Sequence, residues 1–138
     1  MVAQTCDNNK LDNADETLCV STLAQLGVQK GVYTTQLLSG WRNTSLYVQV
    51  DAWRPLRNYD DAANVGVATQ NSYKAQAGDA LQKMVASGYA RRGEQCHNLT
   101  TACAARYTNS FFDFVYVDAR HDRLGVLEDI ATWWSKLR

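Results

Sequence analysis

The sequence predicts an α/β domain in which helices cover both faces of a mostly parallel sheet, a three-layer αβα arrangement. Three observations lead there. Strand-like and helix-like runs alternate four times along 138 residues, which favours parallel strands joined by crossovers over a sandwich or a bundle. The best strand runs are mostly apolar and rich in β-branched and aromatic residues, as strands buried on both sides are. The clearest of them stop at glycine or aspartate, at the carboxyl ends where ligands of such sheets gather.

Taking the elements in order, residues 1–20 are polar and acid-rich and read as a short helical lead-in, with the rest of the chain as one domain. Residues 23–28 form a first strand that runs into glycine; Gly31 follows, and then a helix over 33–38. Residues 46–50, rich in β-branched and aromatic side chains, form a second strand ending at Asp51. From 59 to 85 the composition favours helix, interrupted at Gly66 and Gly78 and ending at Gly88. Residues 91–97 carry little β signal, and only the alternation asks for a strand there, which suits a sheet edge. A helix over 100–107 with a threonine cap precedes the strongest strand, residues 111–117, which ends at Asp118. The last helix spaces Leu124, Leu127, Ile130, Trp134 and Leu137 at three- and four-residue intervals. Glu128, Asp129 and Lys136 lie opposite, so the apolar stripe is expected to lie on the sheet.

Composition narrows the function. Fourteen basic and fourteen acidic residues cancel, so nothing suggests a phosphate-binding or lipid-binding field, and neither nucleic acid nor membrane is expected as a partner. No signal sequence and no run of about 20 apolar residues is seen, so a soluble, cytoplasmic protein is expected. Cys6, Cys19, Cys96 and Cys103 match neither a zinc knuckle nor a CxxC motif, and reduced, partly buried thiols are the first expectation. Disulfides are the alternative, and the sequons Asn43-Thr44-Ser45 and Asn98-Leu99-Thr100 would suit a secreted chain.

Three candidate sites fall at carboxyl ends of strands: residues 27–31, Asp51, and residues 118–121. Glycines at 27 and 31 allow close backbone approach to a ligand and a helix whose first amides face it. Equally, they suit an ordinary strand-to-helix turn. Asp51 follows Gly31 by 20 residues, the distance at which a carboxylate commonly meets ribose hydroxyls, although a cap or loop carboxylate is the plainer alternative. His121 could take a proton near neutral pH and Asp118 could orient it, against the blander reading of a surface histidine and a helix cap.

The stretches Gln25-Leu26-Gly27-Val28-Gln29-Lys30-Gly31, Val50-Asp51-Ala52-Trp53 and Asp113-Phe114-Val115-Tyr116-Val117-Asp118-Ala119-Arg120-His121, with Val126-Leu127-Glu128-Asp129 after them, resemble class I S-adenosylmethionine-dependent methyltransferases. More narrowly they are similar to the small-molecule O-methyltransferase-like group with an Asp-x-x-His pattern after the fourth strand. The resemblance implies a Rossmann-like sheet of which this chain covers the first four strands, in the order 3-2-1-4. It implies that Gly27, Val28 and Gly31 line the methionine part of S-adenosylmethionine, Asp51 its ribose, and Thr100 and Thr101 its adenine edge, with Gln25 also among the cofactor-binding residues. Asp118 and His121 would face a hydroxylated acceptor, with a divalent metal as an optional addition. Gln25 stands where the family is commonly acidic, and Gln29 where many members have a middle glycine.

Two other functions are carried forward. A non-catalytic module could pair through an exposed edge strand, as a homodimer or with a partner chain. A nicotinamide-dependent dehydrogenase would account for the glycines and Asp51 but not for residues 118–121.

Overall fold

A computed structural model describes residues 20–41 and 43–138. The lead-in expected over residues 1–20 lies outside them but for Val20, as do Cys6 and Cys19. The elements are β1 (Ser21–Leu26), α1 (Val32–Gly40), β2 (Thr44–Asp51), α2 (Val67–Ala86), β3 (Ala90–His97), α3 (Thr100–Ala104), β4 (Phe114–Val117) and α4 (Arg123–Trp133), closed by a 3₁₀ turn, Trp134–Lys136. All strand pairs are parallel and the order is β3-β2-β1-β4, the Rossmann-like arrangement expected.

Alternate strand residues feed two separate cores. Leu23 and Tyr47 pack with Leu38, Leu81 and Met84 of α1 and α2. Ala24, Leu26, Val48 and Val50 pack with Cys103, Phe112 and Trp133 on the opposite face, under α3 and α4. The largely apolar stretch 46–50 of β2 follows from this double burial, while β3, at the sheet edge, tolerates Arg91 and Arg92 exposed to water.

A polar row crosses the first core. The register sets Gln25 beside Gln49 and Gln49 beside Gln95. The Gln95 amide donates to Gln49 Oε1 (3.0 Å), Gln49 donates to Thr34 Oγ1 (2.9 Å) and to the Ala77 carbonyl (3.1 Å), and Thr34 donates to Gln25 Oε1 (2.8 Å). Polar side chains in a buried sheet are stable there because each finds a partner, and the chain of bonds ties α1 and α2 to three strands.

Several expectations are corrected. Cys96 and Cys103 are not free thiols: they form a disulfide that joins the end of β3 to α3. Gly66 precedes α2 and does not interrupt it, and Gly78 lies inside one continuous helix, facing the Gln95 side chain. Thr100 begins α3 rather than capping it; Leu99 holds the cap position without a side-chain bond. Strand β4 starts three residues late, because Phe111 and Phe112 turn into the second core. There Phe112 bridges to Leu137, so the last residues of the chain line the base of β4.

The largest correction concerns α4. Its inward face is Gly125, Asp129 and Trp133, whereas Leu124, Leu127, Ile130 and Trp134 are exposed, Trp134 to 74%. Asp129, expected on the water side, is 3% exposed, and burial pushes its carboxyl pKa up.

Candidate functional site

Residues 27–31 form the loop at the floor of the site, directly after β1; residues 27–30 line the cavity and Gly31 does not. Gly27, Gln29 and Gly31 all adopt left-handed backbone (φ 79°, 51° and 81°). The reason for both glycines is protein, not ligand. A Cβ on Gly27 would run into the Asp118 carbonyl, and one on Gly31 would come within 2.8 Å of the Ala77 Cα in α2. Gln29 adopts the same region without being glycine and carries the left-handed strain of an L side chain, about 1 kcal/mol.

Asp51 holds this floor in place. Its Oδ2 accepts the amides of Val28 (2.8 Å) and Gln29 (3.0 Å), and its Oδ1 accepts the amide of Trp53 (2.8 Å). The Trp53 indole, 2% exposed, donates back to the Gln29 carbonyl (2.9 Å). A carboxylate offers about four acceptor positions, so three are taken and one remains on Oδ1. Asp51 can therefore meet one hydroxyl, not clasp two.

Gln25 lies beneath the floor, 1% exposed. Its Oε1 accepts from Thr34 and from the Tyr47 hydroxyl (2.7 Å), and its Nε2 donates to the Gly27 carbonyl (3.1 Å). An acidic residue could not make that last bond while ionised. Gln25 thus supports the loop from below and lines the cavity only at its base.

One wall comes from Leu99 and Thr100, held between the disulfide's two cysteines. The Thr100 hydroxyl donates to Asp129 Oδ1, so it faces α4 as well as the cavity. Thr101 is exposed and does not reach the cavity. Of the pair assigned to an adenine edge, only Thr100 is brought to the site, with Leu99 beside it.

The opposite wall is residues 118–121, after β4. His121 Nε2 is 3.2 Å from Asp118 Oδ1 and its Nδ1 is 2.9 Å from Asp61 Oδ2, a residue 60 positions earlier. The His121 amide donates to the Tyr59 hydroxyl (2.9 Å), and the Arg120 guanidinium lies 5.9 Å from the centre of the Tyr59 ring. With a carboxylate at each ring nitrogen, both nitrogens must carry protons. The bond to Asp61, then that to Asp118, raise the His121 pKa above its ordinary value against an opposing effect of burial. Asp61 is held below the usual carboxylate range, first by the Ala63 amide and then by His121.

Floor and walls enclose a cavity of about 350 Å³, roofed by the segment after β2, including Leu56, Tyr59, Asp61 and Asn64. Tyr33 stands at its rim, stacked on Tyr116 with ring centres 4.1 Å apart. The roof residues were missed in the sequence because a polar loop carries no periodicity, and nothing local marks Asp61 as a partner of His121. Among the described residues no three His, Cys, Asp or Glu side chains are grouped to hold a metal ion. No helix among them is long and apolar enough to cross a membrane.

No curated protein matches the chain. A family model described as a methyltransferase domain matches residues 24–138, from the middle of β1 to the last residue, and so spans every element that builds the cavity. With the parallel β3-β2-β1-β4 sheet and the cavity at its carboxyl ends, this match places the chain in the class I, S-adenosylmethionine-dependent methyltransferase family.

Proposed function

We propose that the domain transfers a methyl group from S-adenosylmethionine to a hydroxyl oxygen of a small acceptor. The observation that carries this reading is the meeting of loop 27–31, Asp51 and residues 118–121 around one cavity. Its volume of about 350 Å³ is within the range of small-molecule sites. The donor set suits the cofactor. Backbone of residues 27–31 would hold the methionine part, the free acceptor position of Asp51 Oδ1 one ribose hydroxyl, and Leu99 with Thr100 the adenine. When bound, the cofactor supplies a methyl group on a positively charged sulfur, so the leaving group is already activated and positioning does much of the work.

The chain's own part is to bring an acceptor hydroxyl to the cofactor and to take its proton. His121 is the base. Its contact with Asp118 is the longer of the two and lies on the more exposed side: Asp118 is 51% exposed and Asp61 16%. An acceptor entering between Nε2 and Asp118 removes the carboxylate that holds the Nε2 proton; that proton leaves to solvent, so that Nε2 can take the hydroxyl's, while Asp61 keeps the ring oriented through Nδ1–H, the arrangement by which a third group directs a base.

Isothermal titration with S-adenosylhomocysteine tests the cofactor half of this reading. Binding that disappears in Asp51→Ala is expected, and no heat at millimolar ligand would overturn it. NAD titrated in parallel distinguishes a dehydrogenase.

One observation favours a second reading. Among the described residues β4 pairs only with β1, and the exposed stripe Leu124, Leu127, Ile130 and Trp134 lies on the helix and 3₁₀ turn that follow it. Apolar surface of this kind marks sites of association, so a homodimer or a partner chain would cover this side. Sedimentation that depends on concentration and is abolished by Leu127→Asp supports it. A cytoplasmic location would require Cys96 and Cys103 to stay paired in a reducing compartment; thiol alkylation of native protein followed by mass measurement decides between a reducing and an oxidising one.

A further inference from the structure

The segment between β2 and α2 is built as a unit. Asn64 accepts the Leu56 amide (2.7 Å) and donates to the carbonyls of Leu56 (2.9 Å) and Tyr59 (2.6 Å), while Asp61 Oδ1 accepts the Ala63 amide (2.7 Å). A loop closed on itself in this way moves as one body rather than fraying residue by residue. It leaves β2 at Asp51 and docks on His121 after β4. Since β1 lies between β2 and β4, this path must pass over the 27–31 floor. At the far end the docking rests on two contacts made by His121: its amide to Tyr59 and its ring to Asp61.

We propose that residues 54–64 are the movable roof of the methyl-transfer site, and that Asp61 on it is the positioning residue that orients the His121 ring. The proposal rests on the methyltransferase reading for the role of His121, but not for the roof itself. Closing the roof would bring Asp61 to Nδ1 and thereby fix which nitrogen faces the acceptor, so that site closure and base orientation are one event. Opening would free the cavity and release the ring. The groups that face His121 are Asp61 and Tyr59 from the roof and Asp118 from its own loop, with Arg120 over Tyr59. The His121 charge strengthens the docking. Because the closed roof raises its pKa, that contribution is complete below the value of the open state and fades as pH rises through the value of the closed state. The depressed Asp61 sets the lower limit: its contribution is complete above its open-state value and is lost as pH falls through its closed-state value.

Trypsin reads the roof without cofactor or acceptor. Arg57 is exposed on it and followed by Asn58, whereas Arg54 is followed by Pro55 and resists cleavage. Cleavage after Arg57 near neutral pH is expected to rise about tenfold in His121→Ala and in Asp61→Ala, the first of which leaves the roof's own hydrogen bonds untouched. Proton NMR titration reads the positioning: His121 should titrate above the ordinary histidine range in the wild type, fall toward about 6.5 in Asp61→Asn, and recover in part in Asp61→Glu. Equal cleavage rates in wild type and both alanine variants would overturn the roof. A His121 titration unmoved by Asp61→Asn would overturn the positioning role. Failure of S-adenosylhomocysteine to bind, with both of these results as expected, would leave the roof standing and remove the methyltransferase reading instead.

Discussion

The floor and the roof of the cavity are held by different physics. The floor, residues 27–31, is tied by backbone amides to one carboxylate and by close backbone contact with β4 and α2. The roof, residues 54–64, is tied to the far wall through the amide and side chain of one exposed histidine. Bonds from backbone amides do not titrate in the working pH range, and contact between backbones cannot yield without a shift of the fold. A histidine between two carboxylates, 58% exposed, responds to pH and to water. One part of the site is therefore part of the structure, and the other can open while the fold persists.

The comparison can be tested most severely at Gly27. Gly27→Ala adds a Cβ against the Asp118 carbonyl at a left-handed residue, and a loss of about 3 kcal/mol is expected from the urea midpoint. A loss below about 0.5 kcal/mol, the range of an ordinary surface change, would mean that the floor yields as easily as the roof. Asp51→Asn comes next. The amide keeps one acceptor oxygen and turns an NH₂ toward amides that need an acceptor, so a loss of about 2 kcal/mol is expected in the same measurement. For the roof the prediction is a separation of readouts. Between pH 6 and 9 the tryptic cleavage of wild type after Arg57, normalised at each pH to that of His121→Ala, should rise as His121 loses its proton, with the urea midpoint changed by no more than about 0.5 kcal/mol. If global stability fell in parallel, roof and floor would be one cooperative unit. The smallest effect is expected at Gln29. Gln29→Gly removes left-handed strain but adds freedom to the unfolded chain, so the two oppose and a gain of about 0.5 kcal/mol remains.

The sequence by itself determined the order of elements, the class of fold and three of the four sides of the cavity. Strands of a covered parallel sheet are mostly apolar, which made residues 46–50 and the run 111–117 legible, and ligands of such sheets meet at carboxyl ends, which singled out Gly27, Asp51 and Asp118. Their partners were not legible. Periodicity identifies an apolar stripe without saying what covers it, so only the packing of α4 decided that Asp129 faces inward and Leu127 outward. Spacing marked the glycines without saying what approaches them, and tertiary structure put Asp118 and Ala77 there in place of a ligand. The pairing of Cys96 with Cys103 needed the distance between β3 and α3, and the meeting of Asp61 with His121 needed a loop to cross a neighbouring strand. Local propensity carries information over a turn or two of chain, whereas these contacts are set by where the sheet brings distant segments together.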